Sequence, residues 1–133
     1  MENRRQTYRH SFEPAKRPRA ELYRPGGRHT VLACEVLDVS LGGMRARLLQ
    51  LLGSLDIGDS LVTRLLGRAA PSPVDLNLSI PSQVVYRELH KEEWHFGLRF
   101  LPIADTRAHE FIERKLSHFL LSEQRASRRR EAG

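Results

Sequence analysis

Two groups of polar residues in this 133-residue chain have the types and the spacing to bind an anion. The first lies in the segment NRRQTYRHSF, where Arg4 and Arg5 are followed after three further residues by Arg9. A guanidinium can pair bidentately with a phosphate or with O6 and N7 of a guanine, and its plane can stack on a base. Two arginines at i and i+4 on an N-terminal arm could therefore enclose a small anionic guanine nucleotide from both sides.

The second group interrupts the segment EVLDVSLGGMRARL, which begins as an apolar run and resumes as an alternating one. Between the two parts lie Asp38, Ser40, Gly42 and Gly43. Glycine permits positive φ and a close approach of the backbone to a ligand, and such a turn can direct N–H groups and a hydroxyl at a phosphate. The carboxylate could accept hydrogen bonds from a guanine edge. Because Asp and Ser in turns often bond only to their own backbone, that simpler interpretation stays open for this segment taken alone.

Together the two groups resemble the paired signatures of the PilZ domain family, the bacterial receptors for cyclic di-GMP (c-di-GMP). The family's R-x-x-x-R pattern matches Arg5 to Arg9, and its D-x-S-x-x-G pattern matches Asp38, Ser40 and Gly43. The later segments IPSQVVYRE and WHFGLRFLPI also resemble the family. The resemblance covers roughly residues 3–122.

The resemblance implies a ligand-binding module, not an enzyme. Arg5 and Arg9 would surround the guanine and the phosphates of c-di-GMP. Asp38 and Ser40 would contact a guanine edge and its neighbouring phosphate, and Gly43 would permit the turn between the strands. No cofactor other than this ligand is expected.

The resemblance also implies that two stacked c-di-GMP molecules could bind, because family members with this capacity have an extra arginine directly before the first motif, as Arg4 is here. No partner domain accompanies the motifs in these 133 residues. We therefore expect an adaptor whose arm reorders on binding and exposes a surface to a downstream protein, which the sequence does not identify.

Alternating apolar and polar residues predict the strands that must position these groups. A helix is predicted from residue 104, because apolar side chains recur from Ala108 onward at i, i+3, i+4, i+8, i+11 and i+12, with Asp105 as a plausible N-cap. The fold class is thus mainly β: a small antiparallel six-stranded β-barrel with a flexible N-terminal arm and a C-terminal α-helix. The six strands are predicted at 20–24, 29–39 and 42–49, within 54–66, and at 74–89 and 94–101.

The net charge of +6 is concentrated at the two ends of the chain. The first thirty residues carry +5 and the last nine carry +3, whereas the remainder carries −2. We predict a basic arm with the ligand-binding arginines at 1–18, a PilZ-like barrel with its helix at 19–122, and a basic tail at 123–133.

Two other function classes remain open. A small nucleic-acid-binding barrel would use the basic ends, but the body is net negative and lacks clustered aromatic residues for base stacking. A protein-only adaptor of the same fold is the other alternative. The intact motifs argue against it. We do not expect nucleic acid as a partner.

Catalytic and metal chemistry find little support in the sequence. His90 and His95 flank two glutamates on a predicted hairpin, without the further ligands that a metal site needs. Ser40 has no histidine or aspartate partner at a recognisable spacing. Trp94 is predicted to be a packing residue. No catalytic residue and no metal ligand is therefore assigned.

The sequence also restricts the environment that we expect for the protein. The single cysteine, Cys34, lies in an apolar run and is predicted to be buried. No apolar stretch approaches the roughly 20 residues that span a bilayer, and no signal peptide is recognisable. We expect a cytoplasmic protein without membrane insertion.

Overall fold

A computed structural model of the chain describes residues 9–26, 30–49, 55–66 and 76–132. Most of these residues form strands, as the alternating pattern predicts, and one long helix closes the chain. The elements are β1 (His10–Ser11), a 3₁₀ turn (Pro14–Lys16), β2 (Arg19–Tyr23), β3 (Thr30–Val39), β4 (Gly43–Leu48), β5 (Ser60–Leu65), β6 (Leu78–His90), β7 (Glu93–Phe100) and α1 (Thr106–Ala132).

Six of the strands form a closed antiparallel barrel in the order β3-β2-β5-β6-β7-β4, and β4 pairs back onto β3. Closure removes the free edges that an open sheet of this size would expose. The short strand β1 is additional and pairs with the end of β3 beyond β2. The predicted six-stranded barrel with a C-terminal helix is confirmed.

The interruption in the β3–β4 segment is a bulge followed by a tight turn. Val36 pairs with Ala46 and Asp38 pairs with Arg45, so Leu37 is the extra residue on β3. A bulge shifts the alternation by one position. The side chain of Asp38 therefore lies on the outer face of the barrel beside Arg45, whereas Val36 points into the core.

The described part of the N-terminal segment, residues 9–18, is packed onto the barrel. His10 and Ser11 pair with Val39 and Asp38, and the next residue, Phe12, is buried in the core. The Phe12 ring lies 6.0 Å from that of Phe119 in α1. The predicted arm at 1–18 is thus anchored from residue 10 onward, and residues 1–8 lie outside the described residues.

The helix begins where the sequence predicts, because the side chain of Asp105 accepts hydrogen bonds from the backbone N–H groups of Arg107 and Ala108 at 2.9 and 3.3 Å. Its apolar face packs on the barrel, with Leu116, Phe119 and Leu120 buried. The helix runs to Ala132, so it has no break at residue 122 and the predicted basic tail belongs largely to it.

Three further expectations concern single residues. Cys34 is buried as predicted, and its burial raises the pKa of the thiol to about 12. Trp94, predicted to be a packing residue, is 36% exposed and lies outside the core, with the Arg87 guanidinium 5.8 Å from the centroid of its ring. His95 lies near Glu93 on the hairpin, and the described residues contain no group of three or more potential metal ligands.

No helix within the described ranges has both the length and the hydropathy that crossing a bilayer requires.

Candidate functional site

The side chain of Asp38 is held between two arginines that come from different parts of the chain. Arg9 donates to Oδ1 of Asp38, and the Nε of Arg45 donates to Oδ2 at 2.6 Å. The carboxylate is only 1% exposed, whereas the side chains of Arg9 and Arg45 are 44% and 50% exposed. Asp38 thus fixes two guanidiniums that are each about half exposed to solvent.

Strand register places these groups in one row on the outer face of the barrel. Asp38 on β3 pairs with Arg45 on β4, Arg45 pairs with Gly97 on β7, and Gly97 pairs with Tyr86 on β6. The hydrogen bond to Asp38 raises the pKa of Arg45 above its already high ordinary value. Arg45 therefore carries its positive charge at any physiological pH.

Tyr86 extends the row because the residue beside it has no side chain. A Cβ atom on Gly97 would lie 2.2 Å from Cε1 of Tyr86, so the ring occupies the space above the glycine. Partial burial raises the pKa of the phenol, and the nearby Arg45 opposes that shift. The glycine therefore lets an aromatic ring lie next to the arginine pair, where a flat ligand could stack.

The turn between β3 and β4 uses its polar groups internally. The backbone N–H of Ser40 donates to the carbonyl oxygen of Gly43 at 2.8 Å. The buried hydroxyl of Ser40 accepts a hydrogen bond from the N–H of Gly42 at 3.2 Å, and it lies 3.3 Å from the carbonyl oxygen of Gly43. The side chain of Ser40 thus shapes the turn, which matches the simpler interpretation of this segment.

Gly43 is required for a different reason from the one predicted. The glycines with positive φ among the described residues are Gly26 and Gly58, so neither glycine of this turn uses that freedom. Instead, a Cβ atom on Gly43 would lie 2.2 Å from the carbonyl oxygen of Leu98 on β7. Gly43 permits a close approach of two strands, and the expectation of a positive-φ turn was wrong.

The predicted site residues therefore divide into three groups. The structure brings Arg9 and Asp38 into contact across 29 positions of sequence. It places Ser40 and Gly43 in the adjacent turn. The predicted residues Arg4 and Arg5 lie outside the described residues.

Sequence reasoning missed two members of the row, Arg45 and Tyr86. The alternation of β4 places Arg45 on the outer face, and pairing it with Asp38 would have revealed the contact. For Tyr86 the available signal was weaker, namely a large aromatic residue cross-strand from a glycine.

The fold and the site define a class of protein: a small β-barrel domain that presents a carboxylate-bound arginine pair beside a tyrosine on its outer face. The sequence pattern of the PilZ domain matches residues 3–120, and the chain belongs to this family. The search of curated proteins finds no match.

Solved structures share the fold at low sequence identity. YcgR of Escherichia coli in complex with c-di-GMP has a TM-score of 0.64 and 20% identity, with 94% of this chain and 48% of that chain covered. The PilZ domain of YcgR with c-di-GMP gives 0.63 and 17%, with 94% and 95% covered. MotI/DgrA of Bacillus subtilis, an inhibitor of motility, gives 0.56 and 15%, with 84% and 49% covered. The chain thus spans about half the length of the first of these proteins.

Proposed function

We propose that this domain is a receptor for c-di-GMP that acts as an adaptor for a protein partner. The proposal is supported by family membership and by two similar structures that contain this nucleotide. The observation that carries it for this chain is the pair of half-exposed arginines, Arg9 and Arg45, fixed by the buried Asp38.

The chemistry of the ligand matches that arrangement. c-di-GMP carries two phosphates, which accept charge-assisted hydrogen bonds, and two guanines, whose O6 and N7 accept a bidentate guanidinium. Because Asp38 already holds Arg9 and Arg45, these side chains lose little further freedom on binding, which lowers the entropic cost of association. Tyr86 offers a ring for stacking beside them.

In this proposal the sequence-predicted residues keep distinct roles. Arg4 and Arg5 contribute further donors from the segment before Arg9. Asp38 positions the arginines, and its direct contact with a guanine edge would require one of the two guanidiniums to move aside, because the carboxylate is 1% exposed. Ser40 and Gly43 maintain the turn that sets the position of Asp38 relative to β4.

The test is isothermal titration calorimetry of the whole chain with c-di-GMP, with GTP and a DNA duplex as controls. We expect c-di-GMP to bind and both controls to bind far more weakly, because only the cyclic dinucleotide presents two guanines and two phosphates at a fixed spacing. Absence of heat with c-di-GMP at high micromolar concentration would overturn the proposal. Tight, strongly salt-dependent binding of DNA would favour the nucleic-acid alternative.

The same titration measures stoichiometry. With protein well above the dissociation constant, a wild-type ratio of two nucleotides per chain supports a stacked pair, and Arg4→Ala should lower that ratio toward one. A wild-type ratio of one removes the stacked pair and leaves the receptor assignment standing.

We propose further that ligand binding is transmitted through the anchored part of the arm to α1. Arg9 contacts Asp38, Phe12 packs near Phe119, and Nε2 of His10 lies 3.9 Å from Oε2 of Glu123 in the helix. A displacement of Arg9 on ligand binding would therefore be transmitted to α1 by His10 and Phe12, which follow it in the chain and contact the helix.

Hydrogen exchange tests this connection. We expect c-di-GMP to slow the exchange of backbone amides in 9–12 and also in 119–123, because ordering of the arm restricts the helix segment on which it packs. Slowing in 9–12 alone would show that the arm orders without affecting α1. The β6–β7 hairpin turn at Lys91 and Glu92, which makes no part of this contact, is the internal reference.

A further inference from the structure

The outward face of α1 carries a stripe of exposed residues with heptad spacing. The intervals alternate between four and three positions, so the side chains lie within about 80° of one another at 100° per residue and extend over about 27 Å of helix. We call this the outer stripe; its members, all exposed, are Arg107, Phe111, Arg114, His118, Leu121 and Arg125.

The outer stripe combines apolar side chains with uncompensated positive charge. Phe111 and Leu121 are each 50% exposed, although large apolar residues on a surface helix usually face the core. In the described residues, no ion pair joins Arg107, Arg114 or Arg125 to a carboxylate.

The flanks of the outer stripe do not neutralise it. Lys115 lies on one flank, with its ammonium 5.6 Å from the centroid of the Phe111 ring. Glu110 is the acidic residue on the other flank, and Glu113 pairs with His109 at 3.2 Å on the side toward the barrel. The stripe therefore keeps a net positive charge.

Spacing and charge together indicate the kind of partner. Phe111 and Leu121 can pack into the holes of a second helix, and the long arginine side chains in the same row can extend to charges that flank the seam of that helix. A second copy of this chain would bring arginine against arginine in either orientation, which is repulsive. We propose that the outer stripe of α1 binds an acidic amphipathic helix of another protein.

Two other surfaces fit the stripe less well. Helices that lie on a membrane bury a wide apolar face in the lipid, whereas the wide apolar face of α1 is packed on the barrel. Nucleic acid would pair with the arginines, but it would leave Phe111 and Leu121 against phosphates. An acidic helix satisfies both the charges and the apolar side chains.

The experiment uses two synthetic peptides of 28 residues as probes. Both have leucine at heptad positions a and d, and they differ only in having glutamate or lysine at e and g. Fluorescence anisotropy at 150 mM salt should show that the whole protein binds the glutamate peptide and not the lysine peptide. Vesicles of phosphatidylcholine and phosphatidylglycerol (3:1) and a 16-base-pair DNA duplex are tested in parallel.

Matched variants locate the binding. Arg114→Glu and the double variant Phe111→Ala/Leu121→Ala should each weaken glutamate-peptide binding at least tenfold. The controls are Lys91→Glu, the same charge change on the hairpin turn, and Leu89→Ala, truncation of a leucine that is 60% exposed on β6. Both controls should bind as the wild type does. All these positions are exposed, so circular dichroism should show unchanged folding.

Several results would overturn the inference. They are failure of the glutamate peptide to bind, binding that survives both stripe variants, self-association that the stripe variants abolish, and stripe-dependent binding of vesicles or DNA in place of the peptide. No step of this argument uses the arginine site, so the c-di-GMP titration can fail while this test succeeds.

Discussion

Asp38→Ala is expected to weaken c-di-GMP binding by about ten- to a hundredfold while leaving the barrel folded. A hydrogen bond to a charged group contributes about 1.5–3 kcal/mol, which corresponds to one to two orders of magnitude in the dissociation constant. Removing the carboxylate releases Arg9 and Arg45 together, so both must be ordered again when the ligand binds.

The fold should tolerate this change because the two guanidiniums are half exposed and can be solvated once Asp38 is gone. A buried ion pair is weak evidence for stability in any case, because desolvation offsets much of the attraction. We therefore expect thermal unfolding to shift by only a few degrees, whereas calorimetry records the large loss of affinity.

Glu35→Ala is the matched control on the same strand. Glu35 also accepts from an arginine of β4, Arg47, at 3.0–3.2 Å, and lies 3.9 Å from Arg17. It is two pairings away from the row that contains Asp38. Its loss should leave c-di-GMP affinity within about twofold, as for a surface ion pair that does not touch the ligand.

A double-mutant cycle separates positioning from direct contact. If Asp38 acts mainly by holding Arg9, then Arg9→Ala and Asp38→Ala should not be additive, because each removes the same arrangement. Full additivity would indicate that Asp38 contacts the guanine independently. Wild-type affinity in Asp38→Ala would contradict any role of this carboxylate.

The sequence predicted the barrel and the helix because their physical signals are local and repeated. The alternation of Met44, Ala46 and Leu48 identifies β4, and the spacing from Ala108 to Leu120 identifies the inner face of α1. Closure of the barrel depends on pairings between strands that are distant in sequence. That part of the prediction came from the resemblance to the family.

The contact between Asp38 and Arg45 could not be predicted because Leu37 is an extra, bulged residue in β3. In a regular strand Cys34, Val36 and Asp38 would share a face, which would place the carboxylate in the core. The bulge at Leu37 reverses that order, and nothing in the local sequence marks where an extra residue enters a strand. The partner of Asp38 is thus determined by register.

The end of α1 was not predicted because the run of arginines near the C-terminus was interpreted as a basic tail separate from the helix. Arginine, alanine and glutamate have high helix propensity, so the segment after residue 122 continues the helix that packing against the barrel has already begun. The same continuation places Glu123 in a buried position near His10.

Gly43→Ala is expected to destabilise the protein by about 3 kcal/mol or more, an effect large for a single methyl group. The new Cβ would lie 2.2 Å from the carbonyl oxygen of Leu98, 3.2 Å from its carbonyl carbon and 3.3 Å from Cα of Arg99. All three are backbone atoms of β7, so no side chain can rotate away, and β4 must separate from β7, with which it pairs.

Gly42→Ala provides the control at the adjacent position. Its Cβ would have Ser40 Oγ as its nearest neighbour, at 4.0 Å, and its φ is not in the left-handed region. Alanine there restricts the unfolded chain without strain in the folded one, so stability should change by less than about 1 kcal/mol in either direction.

Urea unfolding followed by circular dichroism distinguishes the two variants. With a slope of about 1–3 kcal/mol per molar urea, Gly43→Ala should lower the midpoint by about 1–3 M, whereas Gly42→Ala should leave it nearly unchanged. Because β4 also carries Arg45, the molecules of the Gly43→Ala variant that remain folded should bind c-di-GMP more weakly than the wild type. Equal midpoints for the two variants would show that β4 and β7 are not in the close contact that makes Gly43 necessary.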